Sequence, residues 1–585
     1  MRNAKLSFRI FVETHGRASN NGRVQPMVVR VTIKNRRDGV CPRLYFNKNT
    51  EKKRITEICV SVVKIFKMKR VCIIGSGVAG MTCGIHLQKS GFQTVIYESG
   101  MTPGGLCTGW SRGGYSFNGC MHWLLGAEKG ISFNTMWNEI VDLSQIEFVD
   151  HKERVQFEVK SRVETHGRAS DMTDKYGSNI FHFYNKTDDF EKYLLDIAPE
   201  DATLIKKWMA CVRGLNKFQE ILPPVIADDA SVWQKIKFWG GKMTVRMHQL
   251  GFHFMRYRLS GIMKGTTHTF AERFKSPFLR EAIRNLYEKE MSMNLLCFVQ
   301  SYADLGVAQY PKGGSEAFAK LLADSYLKSG GTIKYNSRVD KIIVDDGAHK
   351  AKGIQLKNGE FCEADYVVSA ADWHWTMFDA LGDRYIPSDM MKYRNIADSD
   401  VYYSYCILYL GVKDGMKQHP HFLRFYTDPY SLPDGTCFDK MEVHIYNYDE
   451  TLAGDDKCTI AVYFQTQNGG YWIDKRENDR SGYDAVKKQF TALAIEKLVE
   501  HFGEDFRDKI EVSDLTTPAS YHRYTNNYNG SSQGWMPMVG RRSFGKVRNV
   551  SNVFLCGHWT IPGGGLPIAL KSGRDVARKI KNNTC

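Results

Sequence analysis

Residues 69–106 read KRVCIIGSGVAGMTCGIHLQKSGFQTVIYESGMTPGGL. The apolar run Val71–Ile74 has the length of a strand buried on both faces, as in a parallel sheet. The chain then turns on Gly75, Gly77 and Gly80, and an apolar-periodic stretch runs to a glycine stop at Gly91. A second strand, Thr94–Tyr97, ends at Glu98. This order of strand, glycines, helix, strand and acid suits a dinucleotide. Gly75 permits the tight turn, Gly77 lets the backbone approach a pyrophosphate, and Gly80 lets helix and strand pack closely. The helix N-terminus at Val78 and Ala79 offers free N–H groups and a positive dipole end to phosphates. Glu98 stands where a carboxylate would accept hydrogen bonds from a ribose.

The chain's 585 residues are 43% hydrophobic and 25% charged, a globular rather than disordered balance with room for several domains. Its formal charge of +16 is unevenly placed. Residues 1–67 hold 16 Lys and Arg against 4 Asp and Glu, which leaves the rest of the chain nearly neutral. A nucleic-acid role would therefore rest on that segment alone, and none is expected of the main body. The 14 cysteines form no C-x-x-C pair and no Cys/His group at zinc spacing, so no metal site is expected. Free, mostly buried thiols are the expected state, with a Cys107–Cys120 disulfide as the alternative. No run of 18 apolar residues and no secretory signal occurs.

Along the chain, 1–67 is an Arg-rich extension with strand-like alternations at Met27–Ile33 and Ile58–Phe66. Met68-Lys69-Arg70 stands where a start codon would, so one reading begins the functional fold at Met68. The other makes 1–67 a targeting presequence, which would place the protein in an organelle rather than the cytoplasm. The octapeptide VETHGRAS occurs at Val12–Ser19 and again at Val163–Ser170. A local duplication and a gene-assembly artefact both account for it; two copies do not make a solenoid. Val155–Tyr184 reads as a hairpin with a polar insertion. Residues 186–300 read as helical, including Asp188–Ile197 and Phe278–Tyr287. Within them, 233–263 interleaves basic and aromatic side chains, which suits either a helix lying peripherally on a membrane or a lid over a core or pocket. Residues 301–372 give a Gly-led helix, strands Thr332–Tyr335 and Val339–Val344, a hairpin turn at Asn358-Gly359 and a buried strand Tyr366–Ser369. Residues 373–530 alternate as strands (Val401–Gly411, Met441–Asn447, Thr459–Gln465), a mixed-sheet domain. Residues 531–585 close with strand, glycine turn and helix.

The opening stretch and this tail together resemble the FAD-dependent amine oxidase and phytoene desaturase superfamily. The resemblance implies an α/β fold: a discontinuous Rossmann-like FAD-binding domain (68–185, 301–372 and 531–585) with a mixed-sheet and helical substrate domain (186–300 and 373–530). Gly75, Gly77, Gly80 and Glu98 match the ADP-binding unit, and Gly104, Gly105 and Leu106 the glycine pair beside the flavin. Val339 falls where the family's backbone meets the adenine side. Gly557, with Gly565, Leu566 and Pro567, matches the closing motif over the flavin. Gly557-His558-Trp559-Thr560 and Pro562–Pro567 look most like the branch of carotenoid desaturases, carotenoid isomerases and retinol saturases. Thr517-Pro518, Arg523-Tyr524, Gly530 and Gly534-Trp535 resemble that branch too. No lysine can be matched to the one that amine oxidases hold by the flavin.

The resemblance implies FAD as cofactor and an elongated apolar small molecule as substrate, with desaturation, saturation or isomerisation of its C–C double bonds. An amine oxidase and a non-catalytic flavin- or lipid-binding module are the alternatives. The flavin carries the redox step and the protein supplies binding, orientation and dryness. His122 and His558 are the candidates for proton transfer, with a structural role as the competing reading of each.

Overall fold

The computed structural model describes residues 29–31, 44–46, 68–160, 172–217, 243, 244, 246, 247, 250, 251, 253, 260–287, 291–536 and 547–583. The chain divides into two compact units, Met1–Met68 and Lys69–Cys585. In the first, Val29–Val31 pairs antiparallel with Leu44–Phe46. Both VETHGRAS copies, the alternation Ile58–Phe66 and most of 233–263 lie outside the described residues.

In the second unit the described elements that build the site run as follows. β1 (Arg70–Ile74), α1 (Val78–Lys89) and β2 (Gln93–Tyr97) come first, followed by the hairpin β3 (Gly109–Arg112) and β4 (Tyr115–Asn118). Next are β5 (Glu153–Glu158), β6 (Ile180–Tyr184), α2 (Gly314–Lys328), β7 (Thr332–Lys334) and β8 (Tyr366–Ser369). They are followed by β9 (Ser404–Val412), β10 (Phe422–Ser431), β11 (Cys437–Ile445), β12 (Cys458–Thr466), β13 (Ile510–Thr516), β14 (Val553–Leu555) and α3 (Gly565–Asn582).

Five strands form a parallel sheet in the order β7-β2-β1-β8-β14. Three separate stretches of chain thus meet in one sheet. β1 sits at its centre, and Val71 to Ile74 are buried, as a strand covered on both faces requires. A smaller antiparallel sheet of Val339–Asp345, Lys350–Leu356 and Phe361–Glu363 leads into β8; its second turn includes Gly359 at φ +89°. The remaining large sheet has seven strands in the order β6-β5-β10-β11-β12-β9-β13. β5 and β6 are the expected hairpin, and β10 joins it by a parallel contact to β5. A helix, Arg480–Phe502, packs on this sheet through Phe490, Ala494 and Leu498. It was hidden in a stretch read only as strands, because its apolar positions are spaced among many polar ones.

α1 is held on the parallel sheet by missing side chains. A Cβ on Gly80 would stand 2.1 Å from the Gly75 carbonyl oxygen and 3.2 Å from Ala370 Cβ, so only glycine lets α1 lie down on β1 and β8. On its other sides, a Cβ on Gly84 would meet the Tyr326 ring of α2 at 2.5 Å, and one on Gly573 of α3 would meet the Ala79 carbonyl oxygen at 2.4 Å. The Gly80→Ala protein is therefore expected to lose about 1–3 kcal/mol of stability by overpacking. Denaturant unfolding checks this, and the same samples should show reduced retention of flavin absorbance; unchanged values of both would mean that the contact relaxes freely.

Candidate functional site

Parallel α/β sheets bind ligands at the carboxyl ends of their strands, and here those ends open on one cavity of about 810 Å³. Gly75 follows β1, Glu98 follows β2, Ala370 to Asp372 follow β8, and Gly557 follows β14; all line it. So do Gly77, Val78, Ala79, Gly104, Gly105, Leu106, Val339, Gly565, Leu566, Pro567, His122 and His558. Of the candidate residues only Gly80 is not on the wall; it lies behind it, in the helix–strand contact described above.

The cavity wall fits a flavin dinucleotide from end to end. Glu98 Oε2 accepts from the backbone N–H and the Oγ of Ser76, both at 2.7 Å, and Oε1 accepts from Gly100 N–H at 2.7 Å. These donors hold the carboxylate rigidly at the nucleotide end while leaving lone pairs for a ribose. Ser337 N–H binds the Glu98 carbonyl at 2.7 Å, and this brings Arg338 and Val339 beside it. Neither Ser76 nor Arg338 stands out in the sequence; a serine between two glycines and one arginine among many carry no spacing signal. Gly77 caps α1 without a side-chain partner, so the first-turn N–H groups face the cavity. A Cβ there would meet protein only at Gly104 O, 3.9 Å away, and would occupy space a pyrophosphate needs. Gly104 N–H donates to Ser76 O at 3.0 Å, which lays the Gly104-Gly105 turn over the phosphate loop; Gly104 has φ +120° and Gly105 φ +62°. At the far end, Gly557 N–H donates to Ser572 Oγ of α3 at 2.8 Å, and the N-terminus of α3 enters the wall at Gly565 and Leu566.

Asp372 is fully buried at the end of the segment after β8. Its carboxylate accepts from Trp375 N–H at 2.7 Å and Tyr528 N–H at 2.9 Å, tying the middle cofactor segment to the substrate domain. Burial pushes this carboxyl up to about 7, against the opposing pull of the backbone donors.

Beyond the glycine pair the cavity reaches the large sheet. β11 alternates: Met441, Val443 and Ile445 enter the core, while Glu442 and His444 face the cavity. His122 stacks on His444 at 4.3 Å between centroids, and His444 on Phe422 at 3.9 Å; Tyr463 meets His122 edge-on at 5.2 Å. His151 and His421 pair beside them at 3.6 Å. The Nδ1 of His122 has no hydrogen-bond partner among the described residues and is free for a ligand. His558 approaches Asn527 Nδ2 through Nε2 at 3.5 Å and sits by the Gly534 turn. Among the described residues no three His, Cys, Asp or Glu side chains converge to hold a metal, and no lysine lines this cavity. The histidines other than His122 and His558 were not legible as a group, since they come together only through strand register.

These features define a dinucleotide-binding α/β oxidoreductase with its cofactor cleft continued into a second, sheet-walled chamber. The family model of flavin containing amine oxidoreductases matches residues 78–374, and the chain belongs to that family. It is 22% identical to a 4,4'-diapophytoene desaturase (4,4'-diapolycopene-forming) of Methylomonas sp, over 88% of this chain and 95% of the relative. It is also 22% identical to a phytoene desaturase of Phycomyces blakesleeanus, over 88% and 85%. A 1-hydroxycarotenoid 3,4-desaturase of a Flavobacterium sp. is 22% identical over 88% and 99%. Among solved structures, an oxidoreductase from Methanosarcina mazei superposes with TM-score 0.55 at 14% identity, covering 87% of this chain and 100% of that one. A putrescine oxidase triple mutant gives TM-score 0.50 at 11% identity, covering 88% and 99%. The protein is an FAD-dependent oxidoreductase with the α/β fold expected for it.

Burial holds the cavity imidazoles neutral. His122, His151 and His558 are lowered from an ordinary 6.5 to about 4, and His421 and His444 fall further, all chiefly by desolvation. In the unfolded chain these groups take up protons as pH falls through 6.5, and in the fold His122, His151 and His558 do so only near 4. The unfolded state then binds more protons, so their burial costs nothing above pH 6.5 and a growing amount as pH falls toward 4. Asp372 works oppositely: its burial costs nothing below 3.8 and most above 7. With five histidines against one carboxyl, the melting temperature is expected to fall as pH drops from 6.5 to 4. His122→Gln should flatten that slope; an identical slope would place its titration outside the folding equilibrium.

Proposed function

We propose that the protein acts on C–C double bonds of an elongated apolar substrate, polyene or lipid-like, by desaturation, saturation or isomerisation. The observation that carries this reading is the second chamber. It continues directly from the cofactor end and is walled by Leu286, Leu295, Val299, Ile407 and Phe422 with the aromatic faces of the large sheet. A long apolar molecule could enter it and present one C–C bond at the glycine pair. The names of the desaturase relatives support the same substrate class. A wall without lysine, among the described residues, speaks against the amine reaction.

FAD, when bound, supplies a two-electron hydride acceptor or donor. The chain's own residues do the rest. Gly77 with the N-terminus of α1 holds the diphosphate, and Glu98 the ribose. The N-terminus of α3 puts its positive dipole end at the closing segment, where it would favour negative charge on a bound flavin. The apolar chamber excludes water, and no strong base is required. His122, neutral and with a free Nδ1 on the wall, is placed to take or return a proton at that nitrogen.

The test is the FAD-loaded protein with a C30 or C40 polyene in lipid vesicles, followed by the polyene's visible spectrum and by product chromatography. A shifted polyene spectrum is the expected result. An unchanged polyene together with peroxide release from amines would overturn the reading. In the same assay His122→Gln should retain flavin and lose about 100-fold in turnover, the range of general acid–base contributions; unchanged turnover would leave His122 a packing role only.

A further inference from the structure

The two cysteines on the cavity wall differ from the rest. In the hairpin of β3 and β4, Gly109 pairs with Asn118, and Gly119 N–H donates to Thr108 O at 2.9 Å. Continuing that register by two residues sets Cys107 directly opposite Cys120. The backbone N–H of Cys107 turns away to Gly104 O at 3.0 Å, and that of Cys120 to Ser315 Oγ at 3.2 Å. Both lie in bends just beyond the paired strands, where the same register carried on would make them a non-hydrogen-bonded pair. Such pairs bring Cα atoms to about 4.5 Å, inside the span of about 4.4–6.8 Å that a disulfide bridges. A Cβ on Gly119 would meet Thr108 O at 2.4 Å, so a glycine keeps the strands close at this point.

The two residues converge on Ser315: Cys107 Sγ lies 3.7 Å from its carbonyl oxygen, and the Cys120 N–H donates to its Oγ at 3.2 Å. The contact with Cys107, aided by Ser315, holds the Cys120 thiol below its ordinary value, while burial raises Cys83, Cys406 and Cys556. The Cys120 thiol is thereby favoured as a thiolate, and both cysteines line the cavity. Each described cysteine is unbridged, so the pair stands here as a dithiol.

We propose that Cys107 and Cys120 are a reversible dithiol–disulfide couple on the wall of the cofactor cavity, oxidised by small disulfides of the glutathione class. The Cys120 thiolate attacks one sulfur of the oxidant, forming a mixed disulfide and releasing one thiolate. Cys107, giving up its proton, then displaces the second thiol and closes the S–S bond. Two protein thiols are oxidised and one disulfide is reduced to two thiols, so electrons and protons balance. The closed bond staples the turn carrying Leu106 to the turn carrying His122, joining the cofactor wall to the substrate wall.

The experiment uses the full chain, incubated without oxygen in excess oxidised glutathione, then denatured, alkylated and mapped by mass spectrometry. The expected result is a Cys107–Cys120 cross-linked peptide that dithiothreitol reverses. Cys107→Ser should instead accumulate a glutathione adduct on Cys120. The proposal is overturned if both residues remain alkylated after incubation, or if either cross-links elsewhere. The flavin and polyene spectra of the same sample report the proposed function separately, since thiol mapping does not depend on turnover.

Discussion

The close approach of α1 to the turn at Gly75 is the constraint on which the rest depends. Three elements converge on that helix: its own strand through Gly80, α2 through the Tyr326 ring at Gly84 and α3 through Gly573. A methyl group at any of these points would stand under 3.0 Å from its neighbour, so something must shift. The N-terminus of α1 would then no longer point at the mouth formed by Glu98, Gly104 and Gly557. Because the two partner helices come from chain far downstream, the dinucleotide cleft is complete only when the last segment has docked. Cofactor binding and chain closure are therefore one event in energetic terms: a ligand bound across all three segments stabilises their assembly by mass action.

What could be read in the sequence follows from this geometry. Local requirements leave local marks: the glycine spacing at 75, 77 and 80, the acid at 98, and the paired glycines at 104 and 557–565 are each dictated by backbone space. The boundaries of β8 were legible because a strand buried on both faces must be uniformly apolar. The chamber was not. His151, His421 and His444 come to one face through the pairing of β10 with β11 and with β5, and His122 reaches them from the loop after β4, stacking on His444. The opposition of Cys107 and Cys120 is of the same kind. Thirteen residues apart, they suggest nothing until the register of β3 and β4 is known.

The chemistry of the chamber depends on its histidines being uncharged. An unpaired imidazolium buried in this wall would carry the cost of an uncompensated charge. Stacked as neutral rings, His122 and His444 behave as aromatic surface with a polar edge. Thus the wall combines apolar contact with nitrogen atoms able to hold a proton, and the charge of Glu442 on it is paired with Arg424. The redox power rests in the cofactor, and the protein's selectivity rests in how dry and how long this chamber is.

The thiol pair occupies the seam between these two halves. Leu106 and Cys107 end the cofactor wall, and Cys120 and His122 begin the substrate wall, so the hairpin between them is the shortest covalent path joining the two. A seam closed by one bond would resist separation of the two walls, yet it would leave the apolar lining in place, since both residues already sit against Ser315. That economy of movement is why this position, rather than any of the better buried thiols, is where oxidation could act on the site without unfolding it.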